Sequence, residues 1–367
     1  MTADVCHLAD SRRQGQWESR GFYAAAMDRK ALILGTGLIG ASIGMALRGV
    51  GWEVSGWDPD PKSLAIALSR GAIARVSEEN SREMNKTGLV VLAAPPSQIL
   101  EALGAIRTDT LVTDVAGVKG PIVEAARHLP HFIGGHPMAG AVSSGPEMAS
   151  SHMFHGASWV LCTDNADDSD LDELASIVES IGANPMLMTA AEHDAAVARM
   201  SHLPHILATA LMSVAAVDAR ALGLAGGGFR DLTRVAGSDR GWWPELLVTN
   251  RAHIETAISE LGSEIAKWRT DLGAGDFQAV MESLETASRA RRELGEHHAQ
   301  VRVVLHDRPG EIARVGHALE SSRANVRDFQ LRHGEHGGGG ILTISVTPAT
   351  VERLRSALLE MGLKVDE

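Results

Sequence analysis

Three short segments of the chain concentrate side chains able to do chemistry. His136 stands in Gly134-Gly135-His136-Pro137-Met138-Ala139-Gly140, at the end of an apolar run that reads as a strand. An imidazole is the usual neutral base near pH 7, so a histidine there is suited to take a proton from a hydroxyl. Ser201-His202-Leu203-Pro204-His205 lies in a helical stretch, where residues three apart share a face, so His202 and His205 stand together. Gly228-Phe229-Arg230-Asp231-Leu232-Thr233-Arg234 carries two guanidinium groups, whose planar fork suits capture of a carboxylate. Each segment also has a plainer reading: a capped strand end, a helix-packing pair or metal site, and a solvated face. Asp194 is the one carboxylate near the histidine pair and no cysteine accompanies it, so no metal is assigned.

A fourth segment says what such groups would work with. Gly35-Thr36-Gly37-Leu38-Ile39-Gly40 falls between an apolar run, Ala31–Leu34, and a helical stretch that starts at Leu38. The first glycine permits a tight turn, the second lets backbone approach a pyrophosphate, and the third lets helix pack on strand. Asp58 ends the next strand at the spacing where an acidic residue hydrogen-bonds an adenosine ribose and repels a 2′-phosphate. Capping of the next helix is its plainer role. The turn therefore points to NAD and to a dehydrogenase. Ala94 and Pro95, which end a later strand, and Asp114 and Lys119, which follow another, are further candidates to line the cofactor cleft. A surface ion pair is the alternative for Asp114 and Lys119.

These residues need a frame. Strands are expected at Glu53–Trp57, Leu89–Ala94, Leu111–Val115, Phe132–Gly135, Ser158–Cys162 and Met186–Met188, with helices at Pro61–Ser69, Pro121–His128 and 170–181 between them. That alternation predicts an α/β Rossmann-type doubly wound parallel sheet over residues 30–188. From 189 to 298 the pattern turns to long helices, 190–222, 242–272 and 276–298, read as an all-helical substrate and dimerisation domain. Residues 299–367 read β-α-β-β-α-β, a ferredoxin-like module, with a Gly-rich turn over His333–Gly340. Residues 1–29 are expected to be a mobile tail.

The 367 residues suit two or three domains. A net charge of −12 repels phosphate backbones and anionic bilayers, so neither nucleic acid nor membrane is expected as a partner. No apolar run spans a bilayer, no secretory signal is visible, and the two cysteines, Cys6 and Cys162, suggest no disulfide framework. A cytoplasmic protein is expected.

Taken in order, these pieces resemble prephenate dehydrogenase, the tyrosine-pathway family, over nearly all of residues 30–367. The resemblance rests on the Gly35–Gly40 turn, Asp114-Val115 with Val118-Lys119-Gly120, and the Gly134–Gly140 run. It continues with Glu192-His193-Asp194, Ser201–His205, Gly227–Arg234, Ala236, Ser238-Asp239 and Trp243. It implies NAD-dependent oxidative decarboxylation of prephenate to 4-hydroxyphenylpyruvate. His136 would take the proton of the ring hydroxyl and Arg234 would hold a carboxylate. Ser201, His202 and His205 would line the pocket, with Arg230 a further cation beside it, and Trp243 would close it or pack its wall. The last module, with Asp307-Arg308-Pro309-Gly310 and Asn325, is similar to an ACT domain, which implies feedback by tyrosine. A homodimer is expected from the long Ala- and Leu-rich helices.

The family pattern lapses at Gly117, where many members have serine, and at Ala141-Val142, where many have Thr-Glu. Those changes leave open arogenate dehydrogenase as the nearest alternative. A non-catalytic sensor of dinucleotide and amino acid is a rival of another class, and a small hydroxy acid dehydrogenase a third.

Overall fold

Four consecutive apolar residues, Ala31–Leu34, make sense only in a strand covered on both faces. In the computed structural model Ala31 and Ile33 pack into one hydrophobic cluster and Leu32 and Leu34 into another. The structure describes residues 29–77, 81–140, 145–237, 241, 243–293, 299–306, 308–333 and 339–366. The tail expected over residues 1–29 therefore lies outside the described residues, Arg29 apart. Residues up to Gly262 make one compact unit and those from Ser263 onward another.

In the first unit, β1 (Lys30–Leu34), α1 (Leu38–Gly49), β2 (Glu53–Trp57), α2 (Pro61–Ser69) and β3 (Arg75–Val76) form the opening half of a parallel sheet. It continues with β4 (Leu89–Leu92), α3 (Pro96–Ala105), β5 (Leu111–Asp114), α4 (Gly120–Ala125) and β6 (Phe132–Ile133). Strand order is β3-β2-β1-β4-β5-β6, the order of a dinucleotide-binding sheet.

The expected single sheet is in fact two. Phe132–Gly135 divides at Gly134: β6 closes the parallel sheet, and β7 (Gly135–Pro137) opens a three-stranded sheet with β8 (Ser158–Cys162) and, after α5 (Asp168–Ser180), β9 (Asn184–Met188). β7 runs antiparallel to β8, with His136 opposite Val160, and β8 runs parallel to β9. Close backbone approach explains the break. A β-carbon on Gly135 would lie 2.6 Å from the Asp114 carbonyl oxygen, so β7 crosses the end of β5 where no side chain fits.

The expected helix over 190–222 is also broken. A capping box between Thr189 and Glu192 starts α6 (Ala190–Val197). A π-turn (Ala198–His202) follows, and α7 (Leu203–Ala215) resumes with Pro204 in its first turn. Proline has no N–H and its ring crowds the carbonyl four residues back, so the widened turn absorbs what a regular helix could not. After α8 (Gly227–Thr233), the expected helix 242–272 is likewise two, α9 (Trp243–Thr249) and α10 (Arg251–Ala274), parted at Asn250. Val118, Ala198, Leu246, Ile254 and Ala257 form a small core that ties these helices to the loop after β5.

The second unit begins within α10 and continues with α11 (Phe277–Glu293). Then come β10 (Ala299–Leu305), α12 (Glu311–Ser322), β11 (Val326–His333), β12 (Gly340–Val346), α13 (Val351–Glu360) and β13 (Lys364–Asp366). Sheet order is β11-β12-β10-β13, every pairing antiparallel. That is the ferredoxin-like arrangement expected from the β-α-β-β-α-β order. Most of the Gly-rich turn, residues 334–338, lies outside the described residues.

Candidate active site

The glycine turn is built for close approach. Gly35 adopts φ +98°, and a β-carbon there would lie 2.2 Å from the Ala93 carbonyl oxygen, hard against Ala94. A β-carbon on Gly40 would lie 1.9 Å from the Gly35 carbonyl oxygen, whereas one on Gly37 would meet nothing within 4 Å. Two glycines thus serve the turn itself and one leaves open space at the N-terminus of α1, whose cap makes no side-chain hydrogen bond. Thr36, Leu38 and Ile39 complete the turn. A dinucleotide pyrophosphate fits that opening.

Asp58 accepts from the Thr36 N–H at 2.7 Å and from the Asp60 N–H at 2.9 Å, tying the turn to the end of β2. The cap of α2 is Asp60, whose carboxylate accepts from the Lys62 N–H. Pro95 caps α3 at the end of the next strand.

Asp114 and Lys119 take a different place from the one expected. Both are wholly buried and paired with each other, so neither lines the surface of a cleft. The Lys119 ammonium also donates to the Gly135 carbonyl at 2.6 Å, and Asp114 accepts the Ala116 and Gly135 N–H groups. Burial pushes the Asp114 carboxyl up, against the pull of Lys119. The pair is a brace that fixes the start of β7, and removing one partner of such a pair typically costs about 3–5 kcal/mol.

β7 carries His136 across that brace. Nδ1 of His136 lies 2.8 Å from Nε2 of His193, and Nδ1 of His193 lies 2.8 Å from a carboxylate oxygen of Asp194. Asp194 also accepts the backbone N–H of Lys119 at 2.7 Å and of Gly120 at 2.8 Å. Burial alone would raise the Asp194 carboxyl, but the His193 and backbone hydrogen bonds overcome it and hold the group below the usual range. His136 is pushed well below the usual imidazole range, first by burial, then by His193, Lys119 and His202 facing it. Both causes favour the neutral imidazole.

His202 faces His136 from the π-turn, with Ser201 beside it in the chain. It is 2% exposed, and burial, partly offset by Asp194, brings it down to about 4. Asn250 was not singled out from the sequence. Its amide donates to the Asp194 carbonyl at 2.9 Å and approaches Nδ1 of His202 at 3.4 Å, while its oxygen pairs with His253 at 2.9 Å. One turn on, the His205 ring meets Trp243 edge-on at 5.7 Å. Burial lowers His205, and Arg234 is near enough to lower it further. The structure thus gathers His136, His193, His202, His205, Trp243 and Arg234 into one patch. Arg230 is exposed on α8 and donates to the Ala225 carbonyl at 3.1 Å.

In the sequence His193 stands out only as part of a run resembling the family, and Asp194 also as the carboxylate near the His202/His205 pair. A helical His-Asp pair next to a capping box was the available signal; its partner 57 residues away was not. Among the described residues, no group of three or more His, Cys, Asp or Glu side chains is placed to hold a metal ion.

Residues 43–187 match the family described as prephenate dehydrogenase, nucleotide-binding domain, and residues 189–286 match its dimerization domain. The prephenate dehydrogenase of Bacillus subtilis is 30% identical over 337 residues, covering 86% of this chain and 91% of that one. The chain belongs to the prephenate dehydrogenase family. The expectation of a nicotinamide-dependent dehydrogenase is met by that membership. Among solved structures, the prephenate dehydrogenase of A. aeolicus in complex with hydroxyphenyl propionate and NAD+ is similar, with TM-score 0.67 and 27% identity. That likeness covers 74% of this chain and all of that one. Synechocystis arogenate dehydrogenase is similar to the same degree, with TM-score 0.67 and 27% identity over 72% of this chain and all of its own. No described helix of this family member is long and apolar enough to cross a membrane.

In the C-terminal module, Arg308, Pro309 and Gly310 lead into α12, with Gly310 in the left-handed region at φ +91°. Asn325 is exposed just before β11. Asp307 lies outside the described residues. An open depression of about 610 Å³ lies elsewhere on the module, against Ser321, Arg323, Glu352, Arg353 and Glu360.

Proposed function

We propose that the chain is a prephenate dehydrogenase that uses NAD+ to oxidise and decarboxylate prephenate to 4-hydroxyphenylpyruvate. The observation that carries this reading is His136: a neutral imidazole, tethered at Nδ1, with Nε2 left for a substrate and the Arg234 guanidinium, beside His205, on the same patch. The Gly35–Gly40 turn, Asp58, Ala94 and Pro95 would hold NAD+, which supplies the acceptor for the hydride lost from the ring carbon.

The chain's own groups do the rest. Nε2 of His136 accepts the hydrogen bond and then the proton of the ring hydroxyl. Arg234, with His205 beside it, holds a carboxylate of the dianionic substrate, which fixes the hydroxyl against His136. Ser201 and His202 line the pocket between them, Arg230 adds positive potential to its approach, and Trp243 packs the wall behind His205. Loss of CO2 leaves an aromatic ring, so aromatisation supplies much of the driving force.

The reading extends to regulation and assembly. The C-terminal module acts as an ACT domain that binds tyrosine near Asp307–Gly310 and Asn325. The chain works as a cytoplasmic homodimer. Support for the dimer comes from large apolar side chains left exposed on the helices and the turns between them, Val214, Val217, Leu224 and Val248 in the first unit and Phe277 and Met281 in the second.

Steady-state reduction of NAD+ and NADP+ with prephenate and with arogenate, with and without tyrosine, tests all of this. The expected result is NADH formation with prephenate. Turnover of arogenate alone would reassign the substrate, and turnover of neither would remove the enzyme reading.

A further inference from the structure

Two histidines and a carboxylate in series leave few ways to place the protons. Asp194 accepts from three N–H donors, those of His193, Lys119 and Gly120, and is ionised. A carboxylate only accepts, so His193 must donate from Nδ1. With His193 neutral in the resting state, its Nε2 holds only a lone pair, and the partner 2.8 Å away, Nδ1 of His136, carries the hydrogen; the tautomer measurement below tests that premise. Nε2 of His136 is left bare on the side where Gly117 has no side chain. His202 stands outside this series. Asn250 directs an N–H at its Nδ1, which places the His202 proton on Nε2.

Charge makes the same demand. The ionisable groups facing His136 are His193, Lys119 and His202, and none of them is an anion. Lys119 is itself matched by Asp114. A proton taken up at Nε2 and left on His136 would make a cation with no counter-ion in contact. Asp194 stands one ring further on. We propose that His193, backed by Asp194, is a positioning residue for His136: it holds the imidazole with its hydrogen on Nδ1, and it receives that hydrogen when Nε2 takes a proton from the substrate hydroxyl. The inference rests on His136 being the base of the proposed reaction.

The step balances as two proton transfers. The substrate O–H bond breaks as an Nε2–H bond forms on His136, and the His136 Nδ1–H bond breaks as an Nε2–H bond forms on His193. The relay gains one proton and exchanges no electrons. The cation comes to rest against the Asp194 carboxylate, the arrangement that an aspartate-backed histidine provides in hydrolytic triads. The same carboxylate ties the loop after β5 to α6, so the relay is built into the join between sheet and helices.

The test uses the full chain, labelled with ¹⁵N-histidine and free of cofactor, with His136→Asn and His193→Phe spectra to assign signals. Near pH 7 His136 is expected to show a protonated Nδ1 and a bare Nε2. His193→Phe is expected to abolish that pattern, lower kcat by about 100-fold, the scale of a lost proton-transfer group, and leave KM and NAD+ affinity within about threefold. His193→Gln keeps an acceptor for Nδ1–H but cannot take up its proton. It should restore the Nδ1–H signature while kcat stays low, and it serves if the Phe variant fails to fold. A wild-type His136 protonated on Nε2, or near-normal kcat in His193→Gln, would overturn the proposal. Failure of the wild-type chain to turn over prephenate would instead sink the functional reading, and the tautomer measurement is independent of it.

Discussion

A β-carbon placed on Gly117 would stand 3.8 Å from Nε2 of His136, with no closer atom in its way. The glycine leaves the Nε2 edge of the ring uncovered. Gly117→Ala puts a methyl group in ordinary contact there, and turnover should stay within about threefold of wild type. Gly117→Ser brings a hydroxyl within reach of a hydroxyl-bearing ligand, and one added hydrogen bond of about 1 kcal/mol lowers the KM for prephenate by about fivefold. Steady-state kinetics on both variants decide it. An inactive Ala variant would mean that the substrate itself needs this space.

His136→Asn should cost the chemical step about 100-fold or more, the scale of a lost general base. Its side chain is hydrogen-bonded to His193 and to no residue of the Gly35–Gly40 turn, so the affinity for NAD+, measured by calorimetry, should be unchanged. Near-normal turnover would end the assignment of His136 as base.

His202 makes stability depend on pH in a definite direction. In the unfolded chain it protonates near its ordinary value of 6.5, but in the folded protein not until about 4. Below 6.5 the unfolded state therefore binds the extra proton. The stability that His202 contributes is complete above pH 6.5 and is lost as pH falls towards 4. Urea midpoints should drop between pH 7.5 and 5, and His202→Gln should shallow that drop. An equal slope in the variant would assign the acid sensitivity to other groups.

Gly310 tests the regulatory reading in the full chain. At φ +91° and ψ −5°, a side chain with a β-carbon is strained by about 1–2 kcal/mol. Gly310→Val should distort the entry to α12 and weaken inhibition by tyrosine, leaving turnover without tyrosine intact. Inhibition curves that superimpose on wild type would put any tyrosine effect elsewhere, the active site included.

Local patterns were legible in the amino-acid order. The apolar run before Gly35, the spacing of the glycines, the Pro61–Ser69 helix and the β-α-β-β-α-β order of the last module are set by neighbouring residues, so they could be read along the chain. His136, His205 and Arg234 were visible as candidates because their types suit the chemistry. Breaks in regular structure were harder. The helix expected over 190–222 runs through Pro204, and only the folded chain shows that a π-turn absorbs the proline and turns His202 inward. Likewise Gly134-Gly135 looked like the end of one strand and is the passage between two sheets.

What only the tertiary structure decided is the company each group keeps. Asp114 and Lys119 read as cleft residues from their place after a strand, but burial made them a brace under β7. His193, Asp194 and Asn250 had no local signature of function. They act through partners 48 to 75 residues distant, a relation set by how α6 and α10 pack on the loop after β5. A side chain's type is written in the sequence. Its proton, its charge and its direction depend on what lies against it, and for His136 that is decided by packing across long separations of chain.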